Sequence, residues 1–262
     1  MRYTLAEDAK PQLKLLLIAT FATIALWFIP YAEYIVYPIR LFVTFVHESG
    51  HAIIAFVTGG SVQSLTISAD GSGVVYSAPS GMIGALLTSS AGYLSTTFFG
   101  VLMLYLIRRN ISPHKILLLA GAFVALVTIT FGVVTPLFNF LSLNVAFSSV
   151  AFTVVVGLLL SACMIALALY SNLKVANFAV AFLAVQCLLN ALSDLKTVLF
   201  INTPLVGSDI STDAGNMAAA TGIPGFVWVV TWIAIALFMI VVGMRFYAIR
   251  KESPSKDSLF ED

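Results

Sequence analysis

The chain has 262 residues, 60% of them hydrophobic and only 10% charged. A soluble domain carries about 25% charged residues, so composition excludes an ordinary soluble fold and indicates a polytopic protein seated in a lipid bilayer. A net charge of +1 offers no electrostatic footprint for nucleic acid.

Residues 1–12 are a short polar lead-in with Arg2, Glu7, Asp8 and Lys10. Residues 13–30 are apolar and no small-residue cleavage site follows, so they read as an uncleaved first span. Residues 31–37 form an aromatic connector containing Glu33, and its tyrosines favour the membrane interface. Pro38 suits the first turn of a helix. The stretch 38–57 supplies 20 residues, enough to cross about 30 Å of hydrocarbon. Gly59-Gly60 closes that helix. Residues 62–77, broken by Asp70-Gly71, predict a β-hairpin at or dipping into the membrane face.

A third span covers 83–107 and is rich in small residues such as Gly84, Ala91, Gly92 and Ser95, which allow close helix approach. A basic loop containing His114 follows. Residues 116–134 and 145–170 are the fourth and fifth spans. The sixth, 175–200, carries Gln186, Asn190 and Asp194. Cys163 and Cys187 lie in these apolar runs and read as small core residues rather than a disulfide or metal site. Residues 202–224 are a polar loop with Asp209 and Asp213, within which 213–221 predict a short helix capped by Ser211 or Thr212. A seventh span covers 225–247, and residues 250–262 are a charged, disordered tail. The expectation is one all-α membrane domain over 1–262, with about seven transmembrane helices and a small membrane-associated β-hairpin.

The second span holds the chemistry: His47-Glu48-Ser49-Gly50-His51 reads H-E-x-x-H. On a helix His47 and His51 are i and i+4, share a face and can grip one Zn²⁺. Glu48 beside them is the candidate catalytic base. A catalytic zinc needs a third protein ligand; the candidates are Glu33, Asp70, His114, Asp194, Asp209 and Asp213. Asp194 is the expected one. A carboxylate at the end of so apolar a run is costly unless paired or bound to a cation. Asn190 and Gln186, at four-residue steps before it, make a polar stripe that faces the protein interior. Asn190 is then placed to hydrogen-bond a ligand or the substrate backbone. Asp213 reads as a helix-cap or loop aspartate, His114 as a solvated loop residue and Asp70-Gly71 as a turn.

H-E-x-x-H in a membrane helix, then Gly59-Gly60 and a β-hairpin, resembles the site-2 protease type of intramembrane zinc metallopeptidase, in its compact branch without a PDZ domain. Ser68 to Val74, Ala91-Gly92-Tyr93-Leu94 and Asn190-Ala191-Leu192-Ser193-Asp194 carry the likeness onward, as do Ser211-Thr212-Asp213-Ala214 and the segment from Pro224 to Trp228. The Asn-x-x-Pro-x-Pro-x-Leu-Asp-Gly signature of better-known members is not reproduced: no prolines precede Asp194, and Leu195 follows it. The resemblance implies a zinc metalloendopeptidase cutting membrane-embedded protein substrates, in the cell membrane.

Two other classes use the same residues. A metal or proton transporter would exploit polar intramembrane groups, but no matching pair of repeats is evident. An inactive binding relative would not need Glu48, which is intact.

Overall fold

The computed structural model describes residues 4–5, 9–26, 28–140, 145–202 and 212–250. Asp209 and nearly all of the charged tail therefore lie outside the described residues. The helices are α1 (Ala9–Leu26), α2 (Ala32–Val57), α3 (Gly81–Arg108), α4 (Pro113–Val127), α5 (Thr135–Phe138), α6 (Phe147–Tyr170), α7 (Leu173–Ile201), α8 (Asp213–Thr221) and α9 (Gly225–Ala248). A two-residue antiparallel pairing joins β1 (Thr4–Leu5) to β4 (Ile249–Arg250), and a hairpin is formed by β2 (Ser61–Ile67) and β3 (Gly73–Ala78).

Five described helical stretches are long and apolar enough to cross a membrane: α3, the run Pro113–Phe138, α6, α7 and the Gly225–Phe246 part of α9. The first two of the seven expected spans fall short of that measure. The apolar part of α1 is only Leu16–Leu26; Lys10 and Lys14 occupy its start, and the chain turns at Phe28 and Ile29 before Pro30. Helix α2 is 26 residues long but carries Glu33, Arg40, Glu48 and both histidines. Pro38 is not in its first turn: the helix begins at Ala32, after Tyr31 in a left-handed conformation (φ 63°), and Pro38 sits on an exposed face farther along. There the missing N–H costs the helix one hydrogen bond, to the Tyr34 carbonyl. The run Pro113–Phe138 is not uniform either, because Thr128–Val134 winds as a π-helix between α4 and α5.

Packing follows the small residues. Helices in lipid gain little from burying apolar surface, so close backbone approach drives their association. Gly50 of α2 faces Ser95 of α3 so tightly that a Cβ there would collide with the serine hydroxyl. Phe42, Phe45 and Val46, on the turns of α2 just before the motif, are among the most buried side chains.

The hairpin is pinned to α2. The Tyr37 hydroxyl donates to the Ala69 carbonyl at 2.6 Å and the Thr44 hydroxyl to the Gly71 carbonyl at 2.9 Å. The turn closes with Gly71 at φ 85°, a glycine conformation. The Ser72 hydroxyl and N–H both donate to Asp70, holding its carboxyl below the ordinary value. A register shift between Val62 and Ser64 leaves Gln63 as a bulge. Strand β2 is buried along most of its length, and its Ile67 N–H donates to Thr153 Oγ1 on α6 at 2.7 Å. Strand β3 is only half-buried, with Val74 exposed.

Thr153 thus satisfies a buried backbone donor. Replacing it with valine keeps the shape and orphans that N–H, which costs on the order of 1–3 kcal/mol. The expected result is a lowered thermal midpoint for Thr153→Val in detergent, by fluorescence or calorimetry, with the helical signal of the folded state unchanged.

Candidate metal centre and active site

Helix α2 supplies the first two candidate ligand groups. His47 Nε2 and His51 Nε2 lie 3.1 Å apart, so both rings turn the same nitrogen to one point. His51 Nδ1 is 2.6 Å from the Thr88 carbonyl of α3. A carbonyl only accepts, so Nδ1 carries the proton and Nε2 keeps its lone pair free for a metal.

Helix α3 makes room for that point. Gly92 faces both histidines, and a Cβ built on it would collide with His47 Nε2 and His51 Nε2 at once. The small residue is required by what stands opposite it. The hairpin does the same for the candidate base: a Cβ at Gly73 would lie 2.7 Å from Glu48 Oε1. Glu48 is buried, with 6% of its surface exposed.

The third group comes from α8. Asp213 Oδ2 stands 3.4 Å from His51 Nε2 and 3.7 Å from His47 Nε2. Asp213 is the first residue of α8, and its place is set by the cap before it. The Thr212 hydroxyl accepts from the Gly215 N–H at 3.0 Å and from the Asn202 amide at 3.1 Å. Ala214 and Met217 bury the other side of α8 in a cluster with Tyr93 and Trp232.

These three residues form the one group of at least three metal-ligating side chains with converging atoms among the described residues. They fit zinc. Ligand atoms at about 2.0–2.1 Å around a tetrahedral ion are separated by roughly 3.3–3.4 Å; the edges here are 3.1, 3.4 and 3.7 Å. Two neutral imidazoles and one carboxylate are a known catalytic donor set, leaving a fourth position open.

Asp194, the third ligand expected from the sequence, is not among these three converging residues. It lines an adjoining cavity of about 270 Å³, together with Arg40, Glu48 and Asn190. The histidine nitrogens address Gly92 and the first turn of α8, and the carboxylate that meets them there is Asp213. Asn190 lines the same cavity, and its amide donates to the Gln186 carbonyl at 2.8 Å and to Gln186 Oε1 at 3.2 Å. Gln186 in turn donates to Thr23 Oγ1 at 2.8 Å. Of the polar stripe on α7, Gln186 is buried and ties α1 to α7, Asn190 is half-buried and Asp194 is exposed. A larger cavity of about 680 Å³ lies against β3 and also reaches His47, Glu48, His51 and Asp213. His114 bonds the Ser171 carbonyl at 3.0 Å in another part of the fold, and Asp70 stays in the hairpin turn.

Among known protein families, the model of the peptidase M50B-like family matches residues 17–243. The chain belongs to this family, in keeping with the site-2 protease resemblance. No curated protein and no solved structure matches it.

The Gly92 contact makes a sharp test. Gly92→Ala places a methyl group where both ligand nitrogens converge, so zinc content by atomic absorption should drop well below one per chain. Helix propensity favours alanine over glycine, so the variant should still fold, which circular dichroism in detergent would check.

Proposed function

We propose that this M50B-like peptidase is a zinc metalloendopeptidase that hydrolyses peptide bonds of membrane-embedded protein substrates in the cell membrane. The observation that carries the reading is the convergence of His47, His51 and Asp213 beside the buried Glu48 on the larger cavity, with His47 and Glu48 also lining the smaller one. His47, His51 and Asp213 would hold one Zn²⁺. When bound there, zinc supplies a Lewis acid that polarises the scissile carbonyl and acidifies water.

The rest falls to the chain's own groups. Glu48 takes a proton from the attacking water and delivers it to the leaving amine, so it begins and ends as a carboxylate. Thr88 keeps His51 in the tautomer that can act as a ligand. A substrate helix hides its carbonyls within its own hydrogen bonds and must unwind before it can be cut. Strand β3 offers the place to hold the unwound segment, by pairing as an added strand. It borders the larger cavity and is the less buried strand of the hairpin, whereas β2 is buried and its Ile67 N–H is already bonded to Thr153. Asn190 and Asp194, in the smaller cavity, are placed to receive substrate backbone and water next to Glu48.

One set of variants tests the assignment. Glu48→Gln should retain about one zinc per chain and lose cleavage of a fluorogenic transmembrane peptide by roughly 10²–10⁴-fold. Asp213→Asn should bind zinc more weakly as well as lose activity, because it removes the only negative ligand. Asp194→Asn should keep its zinc. Zinc loss in Asp194→Asn with retention in Asp213→Asn would reverse the assignment of the third ligand.

A further inference from the structure

Arg40 is a cation for which the chemistry above has no use. It stands on α2 seven residues before His47, two helical turns and roughly 10 Å away on the same face. Thr44, between them on that face, donates to the Gly71 carbonyl at 2.9 Å and fixes the hairpin turn beside the arginine. The turn is shaped to it: a Cβ on Gly71 would lie 2.9 Å from Arg40 Nε. The Arg40 side chain is exposed and borders two cavities. One is the cavity of about 270 Å³ that reaches His47 and Glu48; the other, of about 310 Å³, lies between α1, α2 and α7. Among the described residues the guanidinium has no hydrogen-bond or ion-pair partner. The Asp70 carboxylate beside the turn is held by the Ser72 N–H and hydroxyl, and Asp194 lines the same cavity from α7 without closing an ion pair. A charge inside a membrane bundle marks a ligand path more often than a packing role, and the guanidinium fork matches a carboxylate.

The arginine also lies on the line a bound peptide would take. Strand β3 starts at Gly73, which borders both the cavity reaching Arg40 and the larger cavity. A segment paired along β3 from Ser77 towards Gly73 passes Glu48 there and, continued beyond the strand, meets Arg40 over Gly71. We propose that Arg40 is a subsite for a substrate carboxylate, binding an Asp or Glu side chain about three or four residues to one side of the bond that is cut. The spacing follows from the roughly 10 Å between Arg40 and His47 and a rise of about 3.3 Å per extended residue. This rests on the reading of the chain as a peptidase. Arg40 holds the peptide and takes no part in bond cleavage, so its effect falls on binding.

The experiment uses the full-length protein, Arg40→Gln and Arg40→Lys in phosphatidylcholine nanodiscs, with or without phosphatidylglycerol. The substrates are fluorogenic transmembrane peptides in which a single glutamate is moved one position at a time on both sides of the cleavage site, with glutamine at the same positions as the control. For the unaltered protein, glutamate about three or four residues from the cut on one side should lower KM roughly tenfold or more relative to glutamine, with kcat unchanged. Arg40→Gln should abolish that preference while keeping its zinc content and melting point, and Arg40→Lys, which retains the charge without the fork, should keep part of it. Equal KM for glutamate and glutamine at every position, or a preference that survives in Arg40→Gln, overturns the proposal. Where Arg40→Gln fails to fold, Arg40→Lys decides, and an undiminished preference overturns it. A loss in Arg40→Gln that is equal for all peptides and confined to nanodiscs with phosphatidylglycerol identifies a lipid headgroup as the occupant and overturns it as well. Cleavage of every peptide at one rate removes only the role of Arg40; cleavage of none removes the peptidase reading and this subsite with it.

Discussion

Helix α3 approaches the ligand face of α2 so closely that only hydrogen fits between Gly92 and the two histidine nitrogens. That contact has consequences in every direction. It brings the Thr88 carbonyl to His51 one turn earlier and Tyr93 to His47 one residue later. It requires Gly50 to sit against Ser95. With α3 fixed there, α8 and α9 pack on its other side, and Asp213 is delivered to the remaining edge of the site.

The electrostatic problem is that several ionisable groups crowd around two cavities, with Glu48 and His51 buried. Charges at membrane depth are tolerated when they pair with one another, bind a cation or line a cavity. Pairing and cavity lining are both seen here. Asp213 faces the histidines, and Arg40 and Asp194 share a cavity with Glu48. Other polar side chains inside the bundle are paired: Gln186 with Thr23, and Asn190 with Gln186. Removing one member of such a set leaves its partner stranded, which costs more than the pair contributes.

Much of this was legible in the sequence. The motif His47-Glu48-Ser49-Gly50-His51 is local, and a helix fixes its geometry without help. The hairpin could be read from Asp70-Gly71 between β-prone runs, and the short helix at Asp213 from a cap at Ser211 or Thr212. The small residues of α3 announced a close helix contact. The third carboxylate was harder. Asp194 sits on a polar stripe at helical spacing, which looks like a site face, and Asp213 looks like a residue at a capped helix end. Both descriptions are correct locally. The choice between them depends on how α7, α8 and α3 stack, and no local pattern encodes that. The span count was blurred for a related reason: Glu33, Arg40, Glu48 and the histidines make α2 too polar to stand out by hydropathy.

The order of the ligands along the chain sets when the site can exist at all. His47, Glu48 and His51 emerge early in synthesis, and Asp213 follows roughly 160 residues later, an interval on the order of 8–30 s at ordinary bacterial to eukaryotic translation speeds. During that time the nascent chain carries the proposed histidine pair and Glu48 without Asp213. A product cut short before α8 would keep the H-E-x-x-H motif and remain incapable of assembling the centre. On the proposed reading, assembly of the centre therefore waits until α8 has been made.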